Sequence, residues 1–162
     1  MKTSAKAIDL LAQYEQEVDH VYKDQAGLPT IGCGHLLTRS ELLSGFVVIG
    51  GVSCPIAEGI THDQCMTLMA QDLAPVEATV NAGVKVHLEQ NQFDALMLFC
   101  FNIGNHGFLT SSALTAINNG KFDEVPADIA KWNKITQDGL HVVSQGLVNR
   151  RNKEIALWNG TI

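Results

Sequence analysis

The chain has 162 residues, the length of one domain or of two closely joined lobes. With 46% hydrophobic and 17% charged residues and only 4 prolines, its composition excludes disordered and collagen-like chains. The net charge of −6 comes without a basic stripe, which argues against nucleic acid as a partner because phosphate binding needs clustered Lys and Arg. The basic cluster Arg150, Arg151 and Lys153 is compatible with a solvated helix face or with local contacts to an anion.

No transmembrane segment is predicted. The longest stretch without a charged residue, 95–120, is broken by polar residues and glycines before it reaches the roughly 20 apolar residues of a membrane span. At the start of the chain, Asp9 and Gln13 interrupt the apolar run, so the pattern of a secretory signal is missing. We therefore expect synthesis in the cytosol.

The four cysteines, Cys33, Cys54, Cys65 and Cys100, allow three full pairings and could form bridges outside the cytosol. The apolar run around Cys100 and the helical pattern around Cys65 favour buried free thiols instead. Cys33 and His35 are two positions apart and could share a strand face, but no C-x-x-C or H-x-x-x-H accompanies them. We predict no metal site.

The first half of the chain mixes helical and extended patterns. Apolar spacing predicts a first helix at about 4–14. A small hairpin or meander should follow at about 18–36, and then a loop with a short helical or strand piece at about 44–59. The next helix, 61–82, has the clearest start, because Thr61 can cap it and Gln64 stands three residues later.

The second half is predicted to be helical. Residues 90–103 are apolar on nearly every side, which is typical of a helix buried all round. Further helices are expected at about 108–118, 123–134 and 143–158. The predicted architecture is α+β, with a small β-containing lobe in front and an all-helical lobe behind.

Four carboxylates, Glu15, Glu17, Asp19 and Asp24, lie within ten positions of one another. Such clusters are usually solvated surface. Here, however, Glu15 ends the predicted first helix behind apolar residues, while Asp24 lies on the hairpin that follows. Because burial favours a neutral carboxyl group, the pair could divide into a proton donor and an ionised partner, as glycosidic cleavage requires.

The spacing of Glu15, Asp24 and Thr30, continuing into T-I-G-C-G-H, closely resembles the catalytic stretch of the tailed-phage lysozymes, which are endolysin muramidases. The resemblance extends from about Ile8 to Gly160. It includes the segments GITHDQ, QFDALMLFCFNIG, Trp132-Asn133 and GLVNRR, in that order.

The resemblance implies a single lysozyme-like domain over 1–162 with an active-site cleft between its lobes. The N-terminal lobe would cover about 15–60, the connecting helix 61–82, and the helical lobe 83–162 with the first helix. It also implies hydrolysis of the β-1,4 bond between N-acetylmuramic acid and N-acetylglucosamine, with inversion and without a cofactor. Glu15 would be the general acid, Asp24 would support the developing charge and orient the attacking water, and Thr30 would hold that water.

Sugar contacts are expected from two segments: Gly34, His35, Leu36, Phe101 and Asn102. Phe101 could instead be core, and His35 could be a hydrogen-bonded structural histidine. Arg150 and Arg151 could meet the peptide carboxylates of peptidoglycan, or pair within the helical lobe.

Two departures from the family pattern stand out. Gln16 follows Glu15 where the family commonly has glycine, so the backbone after the acid could turn differently. Residues 134–146 differ from the shorter, glycine-rich link usual at that place.

The expected partner is bacterial peptidoglycan, reached by a monomer with the help of a holin. The enzyme would be made in the host cytoplasm and act on the periplasmic or cell-wall polymer after release. Two alternatives stay open: a catalytically silent glycan-binding or phage structural module, and a secreted antibacterial muramidase effector.

Overall fold

The computed structural model describes residues 1–15, 17–24, 27–137 and 139–162. The chain divides into two compact units. We call Ile8–Ala74 the β-containing unit, and Met1–Ala7 together with Pro75–Ile162 the helical unit. Both boundaries between the two units fall inside helices. The organisation of 1–162 as a single domain stays a prediction.

The first half of the chain alternates short strands with helices. In chain order its elements are α1 (Ala5–Tyr14), β1 (Val18–Lys23), β2 (Pro29–Gly32), β3 (His35–Leu36), α2 (Arg39–Ser44), β4 (Phe46–Ile49), β5 (Val52–Pro55) and α3 (His62–Gly83). A single 3-10 turn, Ile56–Glu58, precedes α3. The predicted helices at 4–14 and 61–82 are confirmed to within one residue at each end.

Strands β1, β2 and β3 form an antiparallel sheet in that order, so of the predicted hairpin or meander the structure has the meander. Tyr22 pairs with Thr30 across β1 and β2, and Ile31 pairs with His35 across β2 and β3. Directly paired residues project to the same face, and successive residues alternate between faces. Tyr22 and Thr30 therefore share one face of the sheet, while Ile31 points to the other and is fully buried.

The sequence does not settle whether 44–59 holds a helical or a strand piece; in the structure, β4 and β5 form an antiparallel hairpin within this segment. Helix α2, just before them, was not predicted. Its start is a capping box: Thr38 Oγ1 accepts from the Glu41 N–H, and the Glu41 carboxylate accepts from the Thr38 N–H. Gly45 ends the helix in the left-handed region at φ 77°.

The second half contains four helices and one hairpin among its described residues. They are α4 (Gln90–Leu109), α5 (Ser112–Asn118), α6 (Val125–Ala130), β6 (Lys134–Gln137), β7 (Leu140–Val143) and α7 (Gln145–Trp158). A 3-10 turn, Phe122–Glu124, precedes α6. Every residue from Phe93 to Cys100 is buried, which confirms the prediction of an enclosed helix. Helix α4 packs against α7 and forms the centre of the helical unit.

Two helix boundaries differ from the prediction. Helix α4 continues past Ile103 through a break at Gly104, whose φ of 80° is not helical, so α5 starts only after Ser111, which caps it. Helix α6 ends at Ala130 instead of about residue 134.

The helical unit is not purely helical, because β6 and β7 form an antiparallel hairpin. The β-branched residues on both strands favour extended backbone. Between them the sequence reads Asp138-Gly139, the dipeptide that two-residue hairpin turns prefer. Gly139 has φ 78°, and Asp138 lies outside the described residues.

None of the helices in the described part of the chain combines the length and the apolar character that a bilayer crossing requires.

Candidate active site

Glu15 follows the last residue of α1. Its backbone N–H donates to the Leu11 carbonyl at 3.0 Å, so it continues the helical hydrogen-bond pattern. Leu11 is buried, while Glu15 itself is half-buried. The expected effect of Gln16 on the backbone concerns a position outside the described residues.

Gly34 lies directly against the Glu15 carboxylate. It occupies the turn between β2 and β3 with φ 85°, a conformation that favours glycine. A Cβ atom at this position would stand 3.2 Å from Glu15 Oε2 and 3.6 Å from its Cδ. The missing side chain therefore leaves room for the carboxylate that the sequence predicts to be the acid.

Asp24 is held by the turn that joins β1 to β2. Its Oδ1 accepts from the Leu28 N–H at 2.8 Å, and its own N–H donates to the Leu28 carbonyl at 2.9 Å. The Gly27 N–H also donates to the Asp24 carbonyl. These bonds fix the orientation of a half-buried carboxylate at the edge of the sheet.

Thr30 lies on β2 and is only 3% exposed. Its Oγ1 donates to the Leu28 carbonyl at 3.1 Å. Since a hydroxyl has one proton and two lone pairs, the oxygen retains its capacity to accept a hydrogen bond. Leu28 thus contacts both Asp24 and Thr30 through its backbone and sets their relative position.

Tyr22 interacts with Glu15, Asp24 and Thr30. Burial raises the pKa of its phenol, and the negative charges of Glu15 and Asp24 raise it further. It also pairs with Thr30 in the sheet. The sequence pattern did not indicate Tyr22; the available signal was its place two positions before Asp24.

His35 is held between two carboxylates. Its Nδ1 lies 2.9 Å from Asp72 Oδ2 on α3, and its Nε2 lies 3.3 Å from Glu41 Oε1 on α2. The hydrogen bond with Asp72 raises the pKa of His35 against the opposing effect of burial. Both ring nitrogens are engaged, so the geometry favours the structural alternative that the sequence left open for His35. Leu36, the next residue, is exposed.

The two expected sugar contacts on α4 belong to the helical unit. Asn102 lines a pocket of about 340 Å³ together with Lys131, Trp132 and Lys134. The Trp132 ring meets that of the buried Phe99 edge to face, with centroids 6.0 Å apart. Phe101 is half-buried and does not line this pocket. Trp132 is one of the family landmarks in the sequence, whereas the sequence pattern did not indicate the two lysines beside it.

The arginines of α7 are buried. Arg151 is 1% exposed, and its Nη2 donates to Glu154 Oε1 at 2.9 Å and to Asn102 Oδ1 at 2.6 Å. Arg150 Nε lies 3.5 Å from Glu154 Oε1. These contacts support the alternative in which the arginines pair within the helical unit.

Comparison with known proteins extends the resemblance to the whole chain. A profile of the phage lysozyme family matches residues 12–154. An endolysin of Acyrthosiphon pisum secondary endosymbiont phage 1 is 33% identical over 158 residues, 98% of each chain. The SAR-endolysin of Pseudomonas phage phiKMV is 36% identical over 151 residues, 93% of this chain and 84% of that relative.

Among solved structures, the endolysin from Escherichia coli O157:H7 phage FAHEc1 aligns with a TM-score of 0.84 and 31% identity. The alignment covers 100% of this chain and 96% of that one. The α+β lysozyme-like fold predicted from the sequence is thus confirmed. The chain belongs to the phage lysozyme family, whose members are glycoside hydrolases.

Proposed function

We propose that this protein is an endolysin that hydrolyses the β-1,4 bond between N-acetylmuramic acid and N-acetylglucosamine in bacterial peptidoglycan, and so lyses the cell. The observation that supports this most is the match to phage endolysins along nearly the full length of the chain, in which Tyr22 pairs with Thr30 and has its pKa raised by both Glu15 and Asp24.

Glu15 acts as the general acid. Its protonated carboxyl group donates a proton to the glycosidic oxygen as the bond to C1 of muramic acid breaks, and N-acetylglucosamine leaves as the alcohol. The close approach of Gly34 supports this role, because a side chain there would crowd Oε2 of Glu15, the group that must reach the substrate.

Asp24 and Thr30 hold the attacking water. Asp24 accepts one proton of the water in a hydrogen bond and supports the positive charge on the sugar ring. Because the Thr30 hydroxyl donates to the Leu28 carbonyl, its oxygen accepts the second proton of the water. With both protons engaged, a lone pair of the water oxygen is directed at C1.

The reaction inverts the anomeric configuration. Water held beside Asp24 attacks the face opposite the leaving oxygen and transfers a proton to the Asp24 carboxylate, and the product carries the α configuration at C1. An inverting pair needs room for this water, so we expect the Glu15 and Asp24 carboxyl groups to stand roughly 6.5 to 9.5 Å apart.

Substrate contacts come from Gly34, Leu36, Phe101 and Asn102, with His35 holding the strand that carries Leu36. The pocket beside Asn102 is lined by the Trp132 indole and by two lysines, Lys134 and Lys131, of which Lys131 also donates to Asp128. Such a lining suits the apolar face of a sugar next to a carboxylate, such as those of the muramic acid lactyl group or the peptide stem.

The enzyme works as a monomer without a cofactor. It is made in the host cytoplasm and meets peptidoglycan in the periplasm or cell wall after a holin has opened the membrane. Expressed without a holin, it should be mild to its host.

The test is kinetic. Glu15→Gln should lower the rate of peptidoglycan hydrolysis by about 10²- to 10⁴-fold, with little change in melting temperature. Glu17→Gln and Asp19→Asn serve as matched controls, because both residues are exposed acids of the same segment. Wild-type clearing of permeabilised cells by the Glu15→Gln variant would remove Glu15 from its proposed role.

A further inference from the structure

Two of the four cysteines lie in contact. The sulfur atoms of Cys33 and Cys65 are 2.7 Å apart, although the residues are 32 positions apart in the chain. Both residues are buried, with 3% and 1% exposure. The other two thiols have different neighbours: Cys54 Sγ accepts from the Gln64 amide at 3.3 Å, and Cys100 Sγ donates to Asn105 Oδ1 at 3.5 Å.

The backbone around the pair is arranged to bring the sulfurs together. Cys33 stands in the turn between β2 and β3, and Cys65 lies in the first turns of α3. A Cβ atom on Gly32 would come within 3.2 Å of Cys65 Sγ and 3.0 Å of Ile60 Cδ1. The glycine therefore allows the turn to sit directly on the helix.

We propose that Cys33 and Cys65 form a disulfide bond when the protein meets an oxidising thiol–disulfide couple. The bond would join the turn that carries Gly34, and hence the surroundings of Glu15, to helix α3. A sulfur separation of 2.7 Å exceeds the disulfide bond length of about 2.05 Å by only about 0.7 Å, which a small side-chain rotation can supply.

The reaction balances with a disulfide such as oxidised glutathione. The thiolate of one cysteine attacks the glutathione disulfide, which gives a mixed disulfide and releases one reduced glutathione. The second cysteine, as a thiolate, attacks the protein sulfur of the mixed disulfide and releases the second reduced glutathione. The cysteines lose two protons and two electrons, and the glutathione disulfide gains them.

The surroundings make this oxidation slow in the folded protein. Burial raises the pKa of both thiols, and the negative charge of Glu17 raises both further. The attacking thiolate is therefore scarce at neutral pH, and the bond should form most readily during folding, before the sulfurs are enclosed.

A metal ion could be considered at the same place, because a Glu17 carboxylate oxygen and the two sulfurs all lie within 4.8 Å of one another. Zinc holds thiolates at about 2.3 Å in a tetrahedron, so two such sulfurs stand about 3.8 Å apart. The pair would have to open by about 1 Å against the tightly packed Gly32. Closing to a bond needs the smaller movement.

The bond can be located by refolding the full chain from denaturant in a glutathione redox buffer and digesting it under non-reducing conditions. Cleavage after glutamate separates all four cysteines, because Glu41, Glu58, Glu77 and Glu89 lie between or beside them. We expect one linked pair, the peptides 18–41 and 59–77, with Cys54 and Cys100 still able to react with iodoacetamide. Four reactive thiols after refolding, or a link through another cysteine, would overturn the proposal.

A stability measurement gives an independent readout. Closing a loop of this size predicts that the oxidised protein melts about 5 to 15 °C above the reduced protein. Cys33→Ser should abolish this difference, whereas Cys54→Ser, a matched change of another buried thiol, should keep it. Persistence of the difference in Cys33→Ser would contradict the proposal. A zinc site at this pair would also contradict it: zinc would then raise the melting temperature of the reduced protein, and Cys33→Ser would abolish that rise. Neither readout depends on hydrolytic activity.

Discussion

The contact of His35 with two carboxylates predicts a stability that depends on pH. The ring lies 2.9 and 3.0 Å from the two oxygens of Asp72 and 3.3 Å from Glu41 Oε1. The substitution Asp72→Asn keeps the shape of the side chain and removes its charge. It should therefore weaken the contact between β3 and α3 without creating a cavity.

The expected loss follows from the burial of the pair. The side chains of His35 and Asp72 are 14% and 28% exposed, which places them between surface ion pairs, worth about 0 to 1 kcal/mol, and fully buried ones. Hydrogen bonds to charged groups contribute about 1.5 to 3 kcal/mol. We expect Asp72→Asn to cost about 2 kcal/mol near pH 5.5, which lowers the melting temperature by about 4 to 8 °C.

The sign of the pH effect follows from the pKa of His35, which its hydrogen bond with Asp72 raises above the ordinary value of 6.5. A group whose pKa is higher in the folded state contributes its full stability below the unfolded pKa. That contribution is lost as the pH rises through the folded-state pKa. The difference between wild type and Asp72→Asn should therefore be largest below pH 6.5 and should shrink in alkaline solution.

Thermal unfolding followed by circular dichroism at about pH 5.5 and about pH 10 measures this difference. Asp9→Asn is the matched control, because Asp9 is exposed on α1 and should change the melting temperature little at either pH. An equal loss at both pH values for Asp72→Asn would show that the ion pair is not its cause. No loss at the lower pH would refute the assigned contact.

Two further substitutions test the packing around the charged groups. Gly34→Ala should reduce the free energy of unfolding by about 1 to 2 kcal/mol through backbone strain, and it should lower kcat at least about tenfold because the new Cβ would crowd Glu15. Gly27→Ala is the control: Gly27 has a similar φ of 80° and open space around it, so this variant should show the strain alone. Equal kcat values in these two variants would contradict the crowding argument. Arg151→Met should reduce the free energy of unfolding, measured in urea, by about 3 to 5 kcal/mol, because Glu154 is fully buried beside Arg151. A loss below about 1 kcal/mol would mean that the ion pair is not needed for stability.

The helical periodicity and the capping residues of the sequence predicted most of the longer helices. The buried run from Phe93 to Cys100 has no polar face other than Asp94, and Thr61 with Gln64 marks the start of α3. These signals are local and depend on a few neighbouring residues. Helix α2 carries an equally local signal, the capping box of Thr38 and Glu41, but its six residues are too few for an apolar period to stand out.

Contacts between distant segments could not be predicted in the same way. Asp72 reaches His35 across 37 positions, and Cys65 reaches Cys33 across 32. Neither pair has a spacing that one helix or strand could explain, since both depend on how α3 packs against the sheet. The close approach of Gly34 to the Glu15 carboxylate is of the same kind.

The candidate site combines a local sequence pattern with contacts between distant segments. The spacing of Glu15, Asp24 and Thr30 identified the segment, and the structure adds the contacts that hold each residue there. The catalytic roles of these residues remain predictions, as do the sugar contacts, because they concern a bound substrate.

Isotope labelling of the products tests the mechanism most directly. Purified peptidoglycan digested in H₂¹⁸O should give fragments whose new reducing ends are muramic acid with one ¹⁸O at C1, as seen by mass spectrometry. The Glu15→Gln variant should produce these ends at least about 10²-fold more slowly. Fragments ending in 1,6-anhydromuramic acid would mean that no water attacks C1, and they would contradict the account of a water held by Asp24 and Thr30.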